Sequence, residues 1–240
     1  MPTNVRLLSA QRSYEYPPDA LKLSIITLQD VVQRLAQSHG FQVAQVATPM
    51  PTFGPILPTI PPGLVLNLGF VPVPEGSVTP IRFLHFEQSR IVVDVAGHSS
   101  AIDAIFQRIE EMFEDVRAPD GSPVIGKHKR VRNRSEITAQ LSFPQDLLLP
   151  DVIRHAVSAT ASRGSGLSET ALLPMVATQI LSLQAEYPGF LQPNPDAYVL
   201  EPRAGTGSND HVYYSAAPLV TDTHLAMIET IEAGFTQRRG

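Results

Sequence analysis

The sequence contains no cysteine and no tryptophan. Without a thiol there is no disulfide, no thiolate zinc site, no cysteine-ligated iron–sulfur cluster and no cysteine nucleophile. Charge is scarce too: Asp, Glu, Lys and Arg make up 17% of the 240 residues, against about 25% in an average soluble domain. Because interface centres are depleted in charge, this scarcity fits a protein whose surface is partly covered by another subunit. No apolar run approaches the roughly 20 residues of a membrane span. The best one is interrupted by Asn67, Gly69 and Pro72. The opening MPTNVRLLSA carries one cation and an apolar stretch too short for a signal peptide. A cytoplasmic protein without a membrane partner is the expectation. With a net charge of −5, any nucleic-acid contact has to be local, not a property of the whole field.

Proline, by contrast, is abundant, with 22 residues. Residues 48–63 read TPMPTFGPILPTIPPG and run on into LVLNLGFVPVP. Proline fixes φ and removes a donor, so the stretch is predicted to be neither helix nor central strand. Its apolar residues Met50, Phe53, Ile56, Leu57 and Ile60 still need a dry surface. The segment 48–75 therefore reads as an internal extended arm whose apolar residues bind a partner or a second copy.

Elsewhere the pattern is α+β. Residues 21–26 read as a strand, 27–39 as a helix stopped by Gly40, and 41–47 as a returning strand. Residues 81–86 and 91–95 have hairpin spacing, and a helix follows with Ile102, Ile105, Phe106, Ile109, Met112, Phe113 and Val116 inward. A second β-β-α unit spans 198–235, with Leu225, Ile228, Ile231 and Phe235 inward. Residues 135–143 alternate as a strand does, and 160–197 read as a helical and loop insertion. The whole, 1–240, is expected to be a single α+β domain. Its sheet is expected to be antiparallel or mixed, with helices on one face in a ferredoxin-like arrangement. A boundary, if the chain has one, belongs at 159–168.

Three groups of residues carry candidate chemistry. Gly97-His-Ser-Ser-Ala101 sits between strand and helix, as a nucleophile elbow does, and Ser99 with Asp222 (or Asp210) and His224 has the chain order of a hydrolase triad. Against it stand Ala101 in place of glycine, a hairpin in place of a parallel sheet, and no glycine-rich oxyanion loop. Ser100 with Asp103 reads instead as an N-cap. Residues 127–134, KHKRVRNR, gather five of eighteen cations in Lys127, Lys129, Arg130, Arg132 and Arg134. Such a run can neutralise phosphates, yet no aromatic residue interleaves with it to stack on bases. A bland alternative has it meeting the acidic face 110–115. His211, His224 and neighbouring acids lack metal-ligand spacing, and Gly164-Ser-Gly166 and Gly205-Thr-Gly207 lack a phosphate-loop pattern. No metal, cofactor or cofactor-binding residue is therefore expected. The sequence leans away from an enzyme and towards a protein-interaction or assembly protein, a homo-oligomer or the partner of another protein. A polyanion-binding accessory protein is the second reading, and a serine hydrolase at Ser99 the third.

Overall fold

The structure, a computed structural model, describes residues 1–22, 34–35, 39–41, 43–47, 63–72, 78–148 and 198–237. In chain order these form β1 (Thr3–Glu15), β2 (Val43–Ala47), β3 (Gly63–Pro72), β4 (Val78–Glu87) and β5 (Arg90–Val95). Then come α1 (Ser100–Phe113), β6 (Arg130–Gln140), β7 (Val199–Pro202), β8 (Val212–Ala217) and α2 (Thr221–Gln237). The chain divides into two compact units, Ser9–Asn133 and Met1–Leu8 with Arg134–Gly240.

In the Ser9–Asn133 unit the strand order is β2-β3-β4-β5-β1, with the start of β6 beside β1. The four ladders from β2 to β1 are all antiparallel. Alternation gives the sheet two faces. Ala10, Tyr14, Ile81, Leu84, Phe86, Ile91, Val93 and Val95 share a core with α1, which contributes Ala101, Ile102, Ile105, Phe106, Ile109 and Phe113. The expected inner face of this helix is thus the observed one. Its expected cap is not: the N-cap residue is Ser99, with no side-chain cap bond, and His98 Nδ1 accepts the Ser100 N–H at 3.1 Å. The imidazole takes the Ser100 N–H, the donor that the Asp103 carboxylate would accept in a capping box.

In the second unit the order is β1-β6-β8-β7, and the β6–β8 and β7–β8 ladders are antiparallel. Its core joins Ile137, Leu141, Phe143, Leu200, Tyr213 and Ile228. The deepest row of α2 is Thr221, His224, Ile228 and Glu232, three of the four polar or ionisable. Leu225, Ile231 and Phe235 pack as partly buried neighbours of that core.

The α+β class holds, with sheet dominating, and both β-β-α runs are present as β4-β5-α1 and β7-β8-α2. The ferredoxin-like arrangement is wrong. β2 to β5 are sequence neighbours paired in order, and such hairpin connections leave no room for the crossover helices that interleave strands. The proline-rich reading also changes at its end. Residues 63–72 form β3, flanked by β2 and β4, and the only proline of that strand is its last residue, Pro72. β1 was not expected at all. Of the strand expected at 21–26, Leu21 makes an isolated bridge to Ile125, Lys22 donates its N–H to the Val124 carbonyl at 2.8 Å, and 23–26 lie outside the described residues. So do the arm at 48–62 with Met50, Phe53, Ile56, Leu57 and Ile60, the insertion 160–197 and the candidate boundary 159–168. Among the described residues no helix is long and apolar enough to cross a membrane.

Candidate functional site

Of the residues drawn as a hydrolase triad, Ser99 belongs to the Ser9–Asn133 unit and Asp222 and His224 to the other. Ser99 is buried at the start of α1, and Asp222 is exposed in the first turn of α2. His224 is fully buried, with Nδ1 2.8 Å from the Ser135 hydroxyl and Nε2 2.8 Å from the Ser215 hydroxyl. Ser215 donates its single proton to the Val199 carbonyl at 3.1 Å, so Nε2 carries the hydrogen and donates to Ser215. Nδ1 then accepts from Ser135. Both ring nitrogens are occupied, leaving no lone pair to activate Ser99. Burial pushes the His224 pKa down to about 4, so the ring is neutral at neutral pH.

The basic segment has its expected strand: β6 begins at Arg130, which puts Arg132 and Arg134 on one side. Both are already matched by carboxylates. Arg132 Nε lies 2.6 Å from Glu15 and Arg134 Nε 3.2 Å from Glu136. Lys127 and Lys129 are exposed, and Lys127 and His128 line a cavity of about 340 Å³. Glu110 on α1, Pro123, Ile125 and Gly126 complete its lining. A second hollow of about 370 Å³ shares Glu110, Pro123 and Ile125 and continues along Glu111 and Glu114. One cation of the basic segment, Lys127, and one carboxylate of the acidic helix face, Glu110, thus line the same cavity.

A row of contacts joins β1 to α1 in the same unit. Arg12 and Tyr14 alternate onto one face of β1 and meet Asp103 and Phe106, neighbours at i, i+3 on α1, and Tyr16 follows just past the end of the strand. Two residues of strand rise about 6.6 Å and three to four of helix about 4.5–6 Å, so the rows stay in step. Arg12 pairs with Asp103 and also donates to Asn133 Oδ1 at 2.8 Å and to the Tyr14 hydroxyl at 3.2 Å. Burial opposes the Arg12 charge, but the bonds to Tyr14 and Asp103 outweigh it and leave the pKa raised. Tyr14 stacks on Phe106 at 3.5 Å, and His128 stands edge-on to Tyr14, Tyr16 and Phe106 at 5.4, 6.4 and 6.2 Å. Tyr16 is 5% exposed and its hydroxyl has no hydrogen-bond partner. Burial, with the Glu110 charge adding to it, raises the Tyr16 phenol well above its ordinary pKa.

Sequence reasoning missed this arrangement. Its signal was the alternation R-S-Y-E-Y at 12–16 beside the D-x-x-F-x-x-x-E spacing of 103–110. It also missed the other sheet face, where His85, Glu87 and Asp94 are buried. There Glu87 accepts both Arg90 donors, at 3.0 and 2.7 Å, and lies 3.2 Å from His85 Nδ1. Among the described residues no group of three His, Asp or Glu side chains is placed to hold a metal. In the second unit, Gly205-Thr-Gly207 lines a groove of about 650 Å³ with Arg203, His211 and Tyr214. The Gly207 N–H donates to Asp210 at 2.8 Å, so a carboxylate already occupies the place a phosphate would need.

One apolar surface stands out from these polar ones. Leu68, Phe70 and Val78 are 59%, 44% and 61% exposed. The β3–β4 register pairs Phe70 with Pro80 and Pro72 with Val78, placing them on one face of the hairpin. No protein-family model matches the chain, and no curated protein is similar to it.

Proposed function

We propose that the chain is a non-enzymatic protein-interaction protein that self-associates, and that the β3–β4 hairpin carries the contact. The observation behind this reading is the exposed apolar face formed by Leu68, Phe70, Val78 and Pro80. Exposed neighbouring apolar side chains of this size are characteristic of interaction sites. The occupant is a second copy because the face is electrostatically self-compatible. Its bordering cation, Arg82, lies 3.5 Å from the buried Asp94, so two copies meet apolar to apolar without opposing an unmatched charge. The low charge of the whole chain points the same way. The proline-rich residues 48–62, with Met50, Phe53, Ile56, Leu57 and Ile60, lead directly into β3 and would extend the same contact.

The polyanion reading rests on less, since Arg132 and Arg134 have carboxylate partners and Lys127 lines a cavity together with Glu110. The hydrolase reading loses its base to Ser135 and Ser215. Light scattering tests the proposal: at ~100 µM, where mass action favours association, the chain should exceed the 26.1 kDa of one copy. Leu68→Ser with Val78→Ser should return it to one copy while the circular dichroism spectrum is kept. A wild-type monomer at that concentration, or an oligomer untouched by the double substitution, overturns the proposal.

A further inference from the structure

Strand β3 changes face half-way along. Its sequence alternates Leu64, Leu66, Leu68, Phe70, a pattern that would put all four side chains on one side of a regular strand. Leu66 is fully buried, but Leu68 and Phe70 are 59% and 44% exposed, and Gly69 and Val71 are buried in their stead. The inversion happens at Leu68, whose φ is +58°. The other non-glycine residues with positive φ among those described are Asn4, Asp19 and His211, types that tolerate the left-handed region as leucine does not. The strands give way at the same level. The β3–β4 ladder passes from Asn67↔Phe83 to Gly69↔Ile81 without pairing Leu68, and the β4–β5 register shifts between Ile81 and Phe83. Irregularities of this kind re-aim side chains. Here an unfavourable backbone turns two large apolar side chains out of the core, the reverse of what burial favours.

We propose that Leu68 is the anchor of a twofold contact with a second copy of the chain, its left-handed backbone being the device that brings Leu68 and Phe70 to that contact. The proposal rests on the self-association reading and names the residue at its centre. A twofold interface uses the same patch on both copies, and the strip beyond the inversion, Leu68, Phe70, Val78 and Pro80, is apolar and exposed. The cation beside it, Arg82, lies 3.5 Å from Asp94 of its own copy, so two strips meet without opposing bare charges. Burying Leu68 against the second copy recovers apolar area that the inversion leaves in water.

Dissociation constants from sedimentation equilibrium test the anchor, and melting temperatures at about 1 µM, where mass action limits association, test the backbone. Asparagine tolerates positive φ, so Leu68→Asn keeps the backbone and removes the anchor. It should weaken association about tenfold or more, with a melting temperature no lower than that of the wild type. Leu68→Ile keeps an apolar side chain of equal size, but its branched Cβ resists the left-handed region, so it should melt below the wild type. In a regular exposed strand position isoleucine would be neutral or stabilising. Val78→Ser reports on the face apart from Leu68 and should also weaken association. Unchanged association in Leu68→Asn with weaker association in Val78→Ser overturns the anchor and leaves the self-association reading standing. A wild-type monomer at ~100 µM, or association untouched by either variant, overturns both. A Leu68→Ile melting temperature at or above that of the wild type overturns the backbone device.

Discussion

His224 is held by two hydroxyls with no room for a second proton on the ring. Protonating Nδ1 would leave Ser135 facing an N–H where its own O–H now donates, in surroundings that already disfavour charge. An unfolded histidine takes up its proton near pH 6.5, whereas this one does so only near about 4. Between those values the unfolded chain binds more protons than the folded one. Stability therefore falls as pH drops from about 6.5 towards 4, and the whole contribution is present above 6.5. The loss at the lower limit is roughly 3 kcal/mol. His224→Gln should be less stable at pH 7, since it disrupts both bonds, but its urea midpoint should fall less steeply between pH 7 and pH 5 than that of the wild type. Parallel profiles in that interval would show that His224 does not carry the acid sensitivity. The same burial explains why a histidine with plausible chain order for catalysis is a structural residue here.

At the scale of elements, legibility followed the contrast between apolar and polar positions. β4, β5 and α1 could be read because Ile81, Leu84, Ile91, Val93 and the Ile102–Ile109 row are apolar where they are buried. β1 could not, because it buries Ser9, Arg12 and Ser13 beside Ala10 and Tyr14, and no hydropathy period survives that mixture. The ladder partners that satisfy Arg12 lie about 90 and 120 residues away, at Asp103 and Asn133, so the candidate site was invisible locally for the same reason. The strand at 63–72 was obscured by prolines on either side of it. Inside it, Gly69 passes beneath the Phe41 ring, while the Phe70 ring lies over Gly40, whose φ is +62°. A Cβ on Gly69 would stand 2.5 Å from Phe41 Cε1, nearer than a packed ring can accept. Gly69→Ala should cost about 1–3 kcal/mol through overpacking. The smaller side chain in Phe41→Leu should recover part of that loss in the double variant. Strict additivity of the two changes in urea unfolding would place the strain elsewhere.

For the whole molecule, one number sets how the apolar hairpin face behaves in solution. The formal charge of −5 vanishes near the isoelectric point of about 5.8, and with it goes the repulsion that keeps copies apart. The protection is small to begin with, since uptake of about five protons cancels a net charge of −5. Contacts through Leu68, Phe70 and Val78 should then go beyond a defined oligomer, and turbidity should peak near pH 5.8. Acid unfolding linked to His224 begins in the same interval but has a different signature. It exposes the core and lowers the urea midpoint, whereas charge neutralisation leaves the fold intact and is reversed by returning to pH 8. Leu68→Ser with Val78→Ser leaves the formal charge unchanged, so it separates apolar contact from electrostatics. The double variant should stay clear at pH 5.8 under conditions that cloud the wild type, with both proteins giving the same circular dichroism spectrum. Equal turbidity would mean that the hairpin face takes no part in association and would leave the low charge of the chain as its sole cause.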